Sequence, residues 1–430
     1  MTPDSADPSA TVRLPYGKQE IALDLTGFLK VKTFAPPEPD SLDDPRRTTF
    51  ESLRSPVESA PLAALARNAR RAVIVIPDRT RPRVARQILP VVVDTLLEGG
   101  LQLDAISIFV ANGSHKLHSP EDVGDLVGEV GRGLQVYQNR AVEIGDFENL
   151  GTTKRGTPIL VNRKVVEADL KVVIGPVAYH YFAGWGGGRK MIVPGAAHFE
   201  TICSNHRLTI DAKGNFRARC RNGSLRGNPV HEDLEEAAGL VPNVFAVNVL
   251  LDGWARIVGV ISGHLVESFA TAVAEARRFL YVETGELCDL AVASAGGHPL
   301  DLNFLQTHKS IDHAAGIVRE GGVVVMLAEC TNGLGSDDLM SWVGLGSAAA
   351  ISKRLMWQYR IHGHTALSLV KKLERVKVIL VSSLPKRTVE GLGLIPAQDA
   401  GEALALAAGH VGDQGLTYVL PCAWGILPVI

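Results

Sequence analysis

Residues 72–77 read A-V-I-V-I-P, an unbroken apolar run rich in β-branched side chains. A strand with one wet face would alternate polar and apolar residues. This run therefore predicts a parallel strand covered on both sides. Such a strand needs helices to cover it, and the flanking sequence supplies them. D-R-T-R-P (Asp78 to Pro82) follows directly. Apolar residues then recur at helical spacing through Val84, Ile88, Leu89, Val92, Val93, Leu96 and Leu97, until Gly99-Gly100 stops the pattern. A second unit repeats this grammar, with strand 105–111, the loop N-G-S-H-K-L-H and a helix starting at Ser119-Pro120. A third strand, L-K-V-V-I-G at 170–175, runs into a long glycine-rich stretch. Repeated strand, polar loop and helix predict an open α/β sheet.

The same alternation returns later. Strands are predicted at 288–294, 323–328 and 376–381, with helices through 305–318 and around 347–373. The fold expected is two α/β domains with mostly parallel sheets and the active site in the cleft between them. Residues 1–280 form the first domain and 281–410 a Rossmann-like second one, with 411–430 expected to return to the first. Residues 1–10 read as a loose polar tail, unlike a signal peptide, and 11–32 as a hairpin. Five cysteines without a C-x-x-C pair fit reduced thiols. No apolar run has the length of a membrane span. A formal net charge of -2 gives no footprint for nucleic acid or an anionic membrane. The expected location is the cytoplasm.

In open parallel sheets, ligands sit beyond the carboxyl ends of the strands. Asp78, Arg81, His115, His180 and Lys190 all lie just past such ends, and this convergence is the main physical argument for a site. Two arginines at a strand end can bind a carboxylate or phosphate; the competing reading of D-R-T-R-P is a helix start with Asp78 near the cap. His115 and His180 lie in separate strand-end loops, and the pair reads as proton-transfer groups. His118, His198 and His313 read as structural.

The stretch from His180 to His206 is H-Y-F-A-G-W-G-G-G-R-K-M-I-V-P-G-A-A-H-F-E-T-I-C-S-N-H. Its glycines allow close backbone approach. They fit neither a P-loop, since Met191 follows Lys190, nor a dinucleotide fingerprint; a flexible lid is the plain alternative. Lys190 can clamp a phosphate or act as a nucleophile. His206 has no H-E-x-x-H or Cys/His cluster around it, so a metal there would need ligands from a cofactor. In the second domain, Gln306 and Lys309 are spaced to share one helix face, against the plain reading of a solvated helix start. Trp357 is either core or a pocket wall.

Taken in order, D-R-T-R-P, G-S-H-K, H-Y-F-A-G-W-G-G-G-R-K-x-x-x-P-G, Asn205-His206 and S-A-G-G-H-P-x-D-x-N-x-x-Q-x-x-K resemble the nickel-dependent lactate racemase family, which acts on 2-hydroxy acids as racemases and epimerases. The matching motifs run from about residue 70 to 310. The resemblance implies a nickel-pincer nucleotide, a pyridinium mononucleotide with two sulfur substituents, linked covalently to Lys190. It makes His206 the single protein ligand to nickel, in a square-planar site suited to Ni(II). Gly186, Gly187 and Gly188 would cradle this cofactor, with Asp78, Arg79, Thr80 and Arg81 beside it. His115 and His180 would be the acid/base pair. Arg81, Gln306, Lys309 and Trp357 would orient the substrate, and cofactor-maturation enzymes would be partners. Two positions depart from the pattern. Leu305 stands where the lactate enzymes carry tyrosine, and Lys116 where arginine is usual, so the pocket wall differs.

Histidine, with an ordinary pKa of about 6.5, is a poor base for a C–H beside a carboxylate but a reasonable one for a hydroxyl. The expected chemistry is therefore inversion at C2 by reversible hydride transfer, with the two histidines handling the hydroxyl proton. The alternative is a nickel-free lyase or aldolase using Lys190 as a Schiff base. A non-catalytic nucleotide-binding protein would lack a use for the paired histidines.

Overall fold

A computed structural model describes residues 11–28, 30–39, 42, 44–412 and 414–430. The tail expected at 1–10 lies outside the described residues. The chain divides into two compact units. One, here the motif-bearing unit, comprises Pro39–Asp211 and Phe216–Arg278; the other takes residues up to Glu38, Ala212–Asn215 and Phe279–Ile430.

The motif-bearing unit is built on a six-stranded sheet in the order Ile257–His264, Val244–Leu251, Leu170–Val177, Ala72–Pro77, Ile106–Ala111 and Gln135–Gln138. Every neighbouring pair is parallel except the first, which is antiparallel. Ala72–Pro77 sits inside the sheet and all six of its residues are buried, as its unbroken apolar run requires. The side chains of Val73, Ile74, Val75 and Ile76 have no exposure; burying each stabilises the fold by about 1.5–3 kcal/mol. Because Ala72–Pro77, Ile106–Ala111 and Leu170–Val177 run parallel, their carboxyl ends share one edge. That edge carries Asp78–Arg81, the loop from Asn112 to His118, and the stretch from Tyr179 onward.

The helix after D-R-T-R-P spans Ala85–Glu98 and buries Ile88, Leu89, Val92 and Leu96 on one face. It starts after Val84, which makes no side-chain cap bond. Asp78 therefore does not cap it, and the plain reading of that motif as a helix start gives way to a turn closed by Arg81 N–H on the Asp78 carbonyl (3.1 Å).

The other unit carries a parallel six-stranded sheet ordered Ile395–Ala397, Lys377–Val381, Val318–Leu327, Cys288–Ser294, Leu416–Leu420 and Lys30–Thr33. Leu416–Leu420 thus pairs with Cys288–Ser294 rather than joining the first domain, and Lys30–Thr33 crosses to the same sheet. The assignment of 1–280 and 411–430 to one domain is corrected on both counts. The hairpin Thr11–Tyr16 with Gln19–Asp24 also belongs here. Its turn locks onto the glycine loop that follows Ser294: Gly17 N–H donates to Asp301 (2.7 Å), and His298 N–H to the Gly17 carbonyl (2.7 Å).

Candidate active site

Asp78 organises the first strand end. It is 3 % exposed and accepts from the Thr80 hydroxyl at Oδ1 (2.7 Å), while His115 Nδ1 lies 2.6 Å from Oδ2. Burial pushes this carboxyl up. The His115 charge and hydrogen bond, the Thr80 hydroxyl and the Arg81 guanidinium together outweigh burial and bring it down to about 2. Arg81, lowered by burial and supported by Asp78, remains a cation. Arg79 turns the other way and pairs with Asp122 at 2.7 Å, near the start of helix Pro120–Arg132.

His115 stands in a loop held on several sides. Its N–H donates to the Asn112 carbonyl (3.0 Å), and Gln138 brackets His118 by accepting from its N–H (2.8 Å) and donating to its carbonyl (3.0 Å). Buried Asn139 donates to the carbonyls of Gly113 (3.1 Å) and Ala197 (2.9 Å), tying this loop to the glycine-lysine stretch. The His115 side chain is 49 % exposed. His118 is closer to the site than its sequence placement implies. Its Nε2 lies 3.9 Å from Asp78 Oδ2, and burial lowers its pKa. His198 and His313 do serve local structure: His198 Nδ1 accepts the Glu200 N–H (3.2 Å), and His313 Nδ1 lies 2.7 Å from the Ala423 carbonyl.

Past Leu170–Val177 the chain doubles back, with Tyr179–His180 pairing against Gly184–Trp185. The glycines that follow pack against the protein itself. Gly186 N–H donates to the Ala178 carbonyl (2.7 Å) and Gly188 N–H to the Asn248 side chain (3.0 Å). Gly187 has φ +139°, and a Cβ there would meet the Phe269 ring at 2.6 Å. Arg189 has no exposure and lies with its guanidinium 3.6 Å from the Phe269 ring centroid. It donates to the carbonyls of Trp185 (3.3 Å) and Gly186 (3.4 Å) and meets His231 Nδ1 at 3.0 Å. Burial, opposed by Glu235, lowers Arg189 to about 9. Burial with the charges of Arg189 and Lys190 lowers His231 to about 3. A buried cation facing a neutral imidazole thus fixes the shape of the glycine loop.

Three candidates converge on Phe182. Its ring centroid lies 4.5 Å from that of His180, 4.9 Å from that of His206 and 5.9 Å from Lys190 Nζ. All four residues are buried, with exposures between 3 and 7 %. The Ala183 N–H donates to His180 Nδ1 (3.3 Å), which puts the ring proton of the neutral form on Nε2. His206 Nδ1 lies 3.2 Å from Asn205 Oδ1. Among the described residues no three His, Cys, Asp or Glu side chains group as a metal site.

In the other unit, helix Phe304–Gly316 starts at the cap Asn303 and shows Gln306 and Lys309 on one face. Lys309 Nζ donates to Gln306 Oε1 at 2.7 Å. Leu305 is half-buried beside them. Trp357 closes helix Ala348–Trp357 and is 86 % exposed, which rules out a core role.

The chain as a whole has relatives among known proteins. The lactate racemase N-terminal domain matches residues 16–217 and the lactate racemase C-terminal domain matches 283–427. A lactate racemase from Lactiplantibacillus plantarum is 30 % identical over 68 % of each chain. The chain belongs to the lactate racemase family. A second lactate racemase, from Thermoanaerobacterium thermosaccharolyticum, is 29 % identical over 96 % of this chain and 97 % of its own. The solved lactate racemase apoprotein from that organism superposes with a TM-score of 0.87 at 27 % identity, covering 98 % of this chain and all of that one. A protein from Thermotoga maritima shares the fold, with a TM-score of 0.68 at 15 % identity over 91 % of this chain and 99 % of that one. The enzyme class is therefore isomerase, of the racemase type. Among the described residues no helix is long and apolar enough to cross a membrane.

Sequence reasoning missed Phe182, Arg189, Asn139 and the carboxylate partner of His115. Arg189 had a signal, since it sits inside G-G-G-R-K. Phe182 and Asn139 had none beyond their neighbours.

Proposed function

We propose that this isomerase racemises or epimerises C2 of a 2-hydroxy acid in the cytoplasm, with a nickel-pincer nucleotide attached at Lys190 and its nickel held by His206. The observation that carries the reading is the contrast between His115 and His180. His115 directs Nδ1 at a buried carboxylate, so its lone pair is on Nε2. His180 accepts an N–H at Nδ1, so its proton is on Nε2. One ring presents a lone pair to take the hydroxyl proton, and the other presents an N–H that hydrogen-bonds the oxygen. The residues also fit the cofactor: a buried lysine and a buried histidine on either side of an apolar ring make a place for a group that brings its own metal donors.

When bound, that group supplies an acceptor and donor for the C2 hydrogen as hydride. The rest falls to the chain. His115 Nε2 takes the C2 hydroxyl proton, while Asp78 holds the ring by Nδ1. His180 Nε2 serves the hydroxyl oxygen in the opposite enantiomer. Arg81, beside Asp78, pairs with the substrate carboxylate, and Gln306, Lys309 and Trp357 are further substrate contacts. Arg79, Thr80 and Gly186 to Gly188 shape the cofactor's surroundings. Enzymes that build and insert the nickel nucleotide are the partners implied.

The test is to produce the chain alongside such enzymes, measure bound nickel and intact mass, and screen enantiopure 2-hydroxy acids, lactate included, by chiral chromatography. The reading predicts a mass increment lost in Lys190→Ala, nickel lost in His206→Ala, and racemisation that needs both. An active preparation without nickel would favour Schiff-base chemistry at Lys190 instead.

A further inference from the structure

Behind His206 lies a buried polar chain that the reaction chemistry does not use. Asp233, on helix Pro229–Gly239, has no exposure and accepts three donors. These are Thr153 Oγ1 to Oδ1 at 2.5 Å, Thr157 Oγ1 to Oδ2 at 2.8 Å, and Asn205 Nδ2 to Oδ2 at 2.9 Å. Asn205, also without exposure, sends its amide nitrogen to the Val230 carbonyl as well, at 3.2 Å. Both of these partners can only accept when Asp233 is ionised. They therefore fix which end of the Asn205 amide is NH2 and which is carbonyl. The carbonyl end is the atom 3.2 Å from His206 Nδ1.

We propose that Asp233 and Asn205 are positioning residues that hold the His206 proton on Nδ1, so that Nε2 presents the lone pair to a metal. The proposal rests on the reading that His206 holds nickel. A cross-link between helix Pro229–Gly239 and the turn joining strands Phe147–Thr152 and Pro158–Asn162 would account for the threonines. It would not require the amide carbonyl to meet the adjacent imidazole. A buried carboxylate with several donors cannot easily turn the amide around, because the flipped amide would set carbonyl against carboxylate and leave Asp233 a donor short. Metal-binding histidines in general have their second nitrogen held by such a group, which fixes tautomer and ring direction. Here the holding group is a neutral amide anchored by a carboxylate one step further back.

The direct test uses the full chain, unloaded and labelled with 15N-histidine. Long-range 1H–15N spectra at neutral pH report which ring nitrogen is protonated, and His206→Gln identifies the His206 signal. A protonated Nδ1 with bare Nε2 is expected. A proton on Nε2 overturns the proposal and leaves the function reading standing. In the loaded enzyme, Asn205→Ala should release nickel to excess EDTA roughly 10–100-fold faster, with the lysine-linked mass increment unchanged. Unaltered release overturns the proposal. Thr157→Val removes one Asp233 donor with little change of shape, and should move tautomer balance and nickel release in the same direction by a smaller factor. It decides the matter if Asn205→Ala fails to fold. Undiminished nickel in His206→Ala would instead overturn the underlying reading.

Discussion

The two histidines at the strand-end edge of the motif-bearing unit live in opposite surroundings. His115 is half-exposed, in a loop pinned by amide side chains, and leans on the carboxylate of Asp78. His180 is buried, packed edge-on to Phe182, and takes a backbone N–H. A ring that must accept a proton is served by a nearby negative charge; a ring that must keep one on Nε2 is served by a donor at Nδ1. The difference shows how a single edge of one sheet can present two unlike faces of the same side chain.

Removing either ring tests whether the contrast matters for chemistry. His115→Ala and His180→Ala should each lower racemisation by about 10²–10⁴-fold, in line with the loss of general acid–base help, measured by chiral analysis of the loaded enzyme. Near-full activity in either would break the pairing. The buried side should also be the costlier one to disturb structurally. Phe182→Ala should lower unfolding free energy by about 3–5 kcal/mol, as for other buried aromatic truncations, read from urea transitions.

The carboxylate side has its own signature in pH. Asp78 sits at about 2 in the folded chain against an ordinary 3.8, so the unfolded chain binds more protons between those values. The stability this contributes is present above pH 3.8 and is lost as pH falls through about 2. The shift corresponds to about 2 kcal/mol. Asp78→Asn should flatten that part of the stability–pH curve. A curve of unchanged slope would show that His115, Thr80 and Arg81 do not hold the carboxyl down. The smallest effect belongs to the open side. Leu117→Ser, at a position 48 % exposed in the His115 loop, should change stability by less than about 0.5 kcal/mol. A larger loss would mean that the loop is less open than its exposure indicates.

Much of this architecture was legible in the sequence, for physical reasons. Strands such as Ala72–Pro77 are buried on both faces, so their side chains had to be uniformly apolar, and the polar residues after them had to lie at the strand ends. What remained hidden was pairing over distance. Local pattern cannot reveal that Asp78 meets His115, that Arg189 is buried against Phe269, or that Asp233 reaches Asn205. The same limit explains the corrected domain assignment. Lys30–Thr33 and Leu416–Leu420 lie almost at opposite ends of the chain, yet neighbour each other in one sheet. A parallel pairing leaves no turn signal between its partners. The glycine cluster was legible as close packing, but whether its neighbour was ligand or protein was not. Gly187 answers part of that, since its near neighbour is Phe269.

The most direct test of the central claim, that the histidines move the hydroxyl proton and not the C2 proton, is racemisation in deuterated water. An enantiopure 2-hydroxy acid turned over by the nickel-loaded enzyme should invert with protium kept at C2. Deuterium appearing at C2 at the rate of inversion would contradict the account.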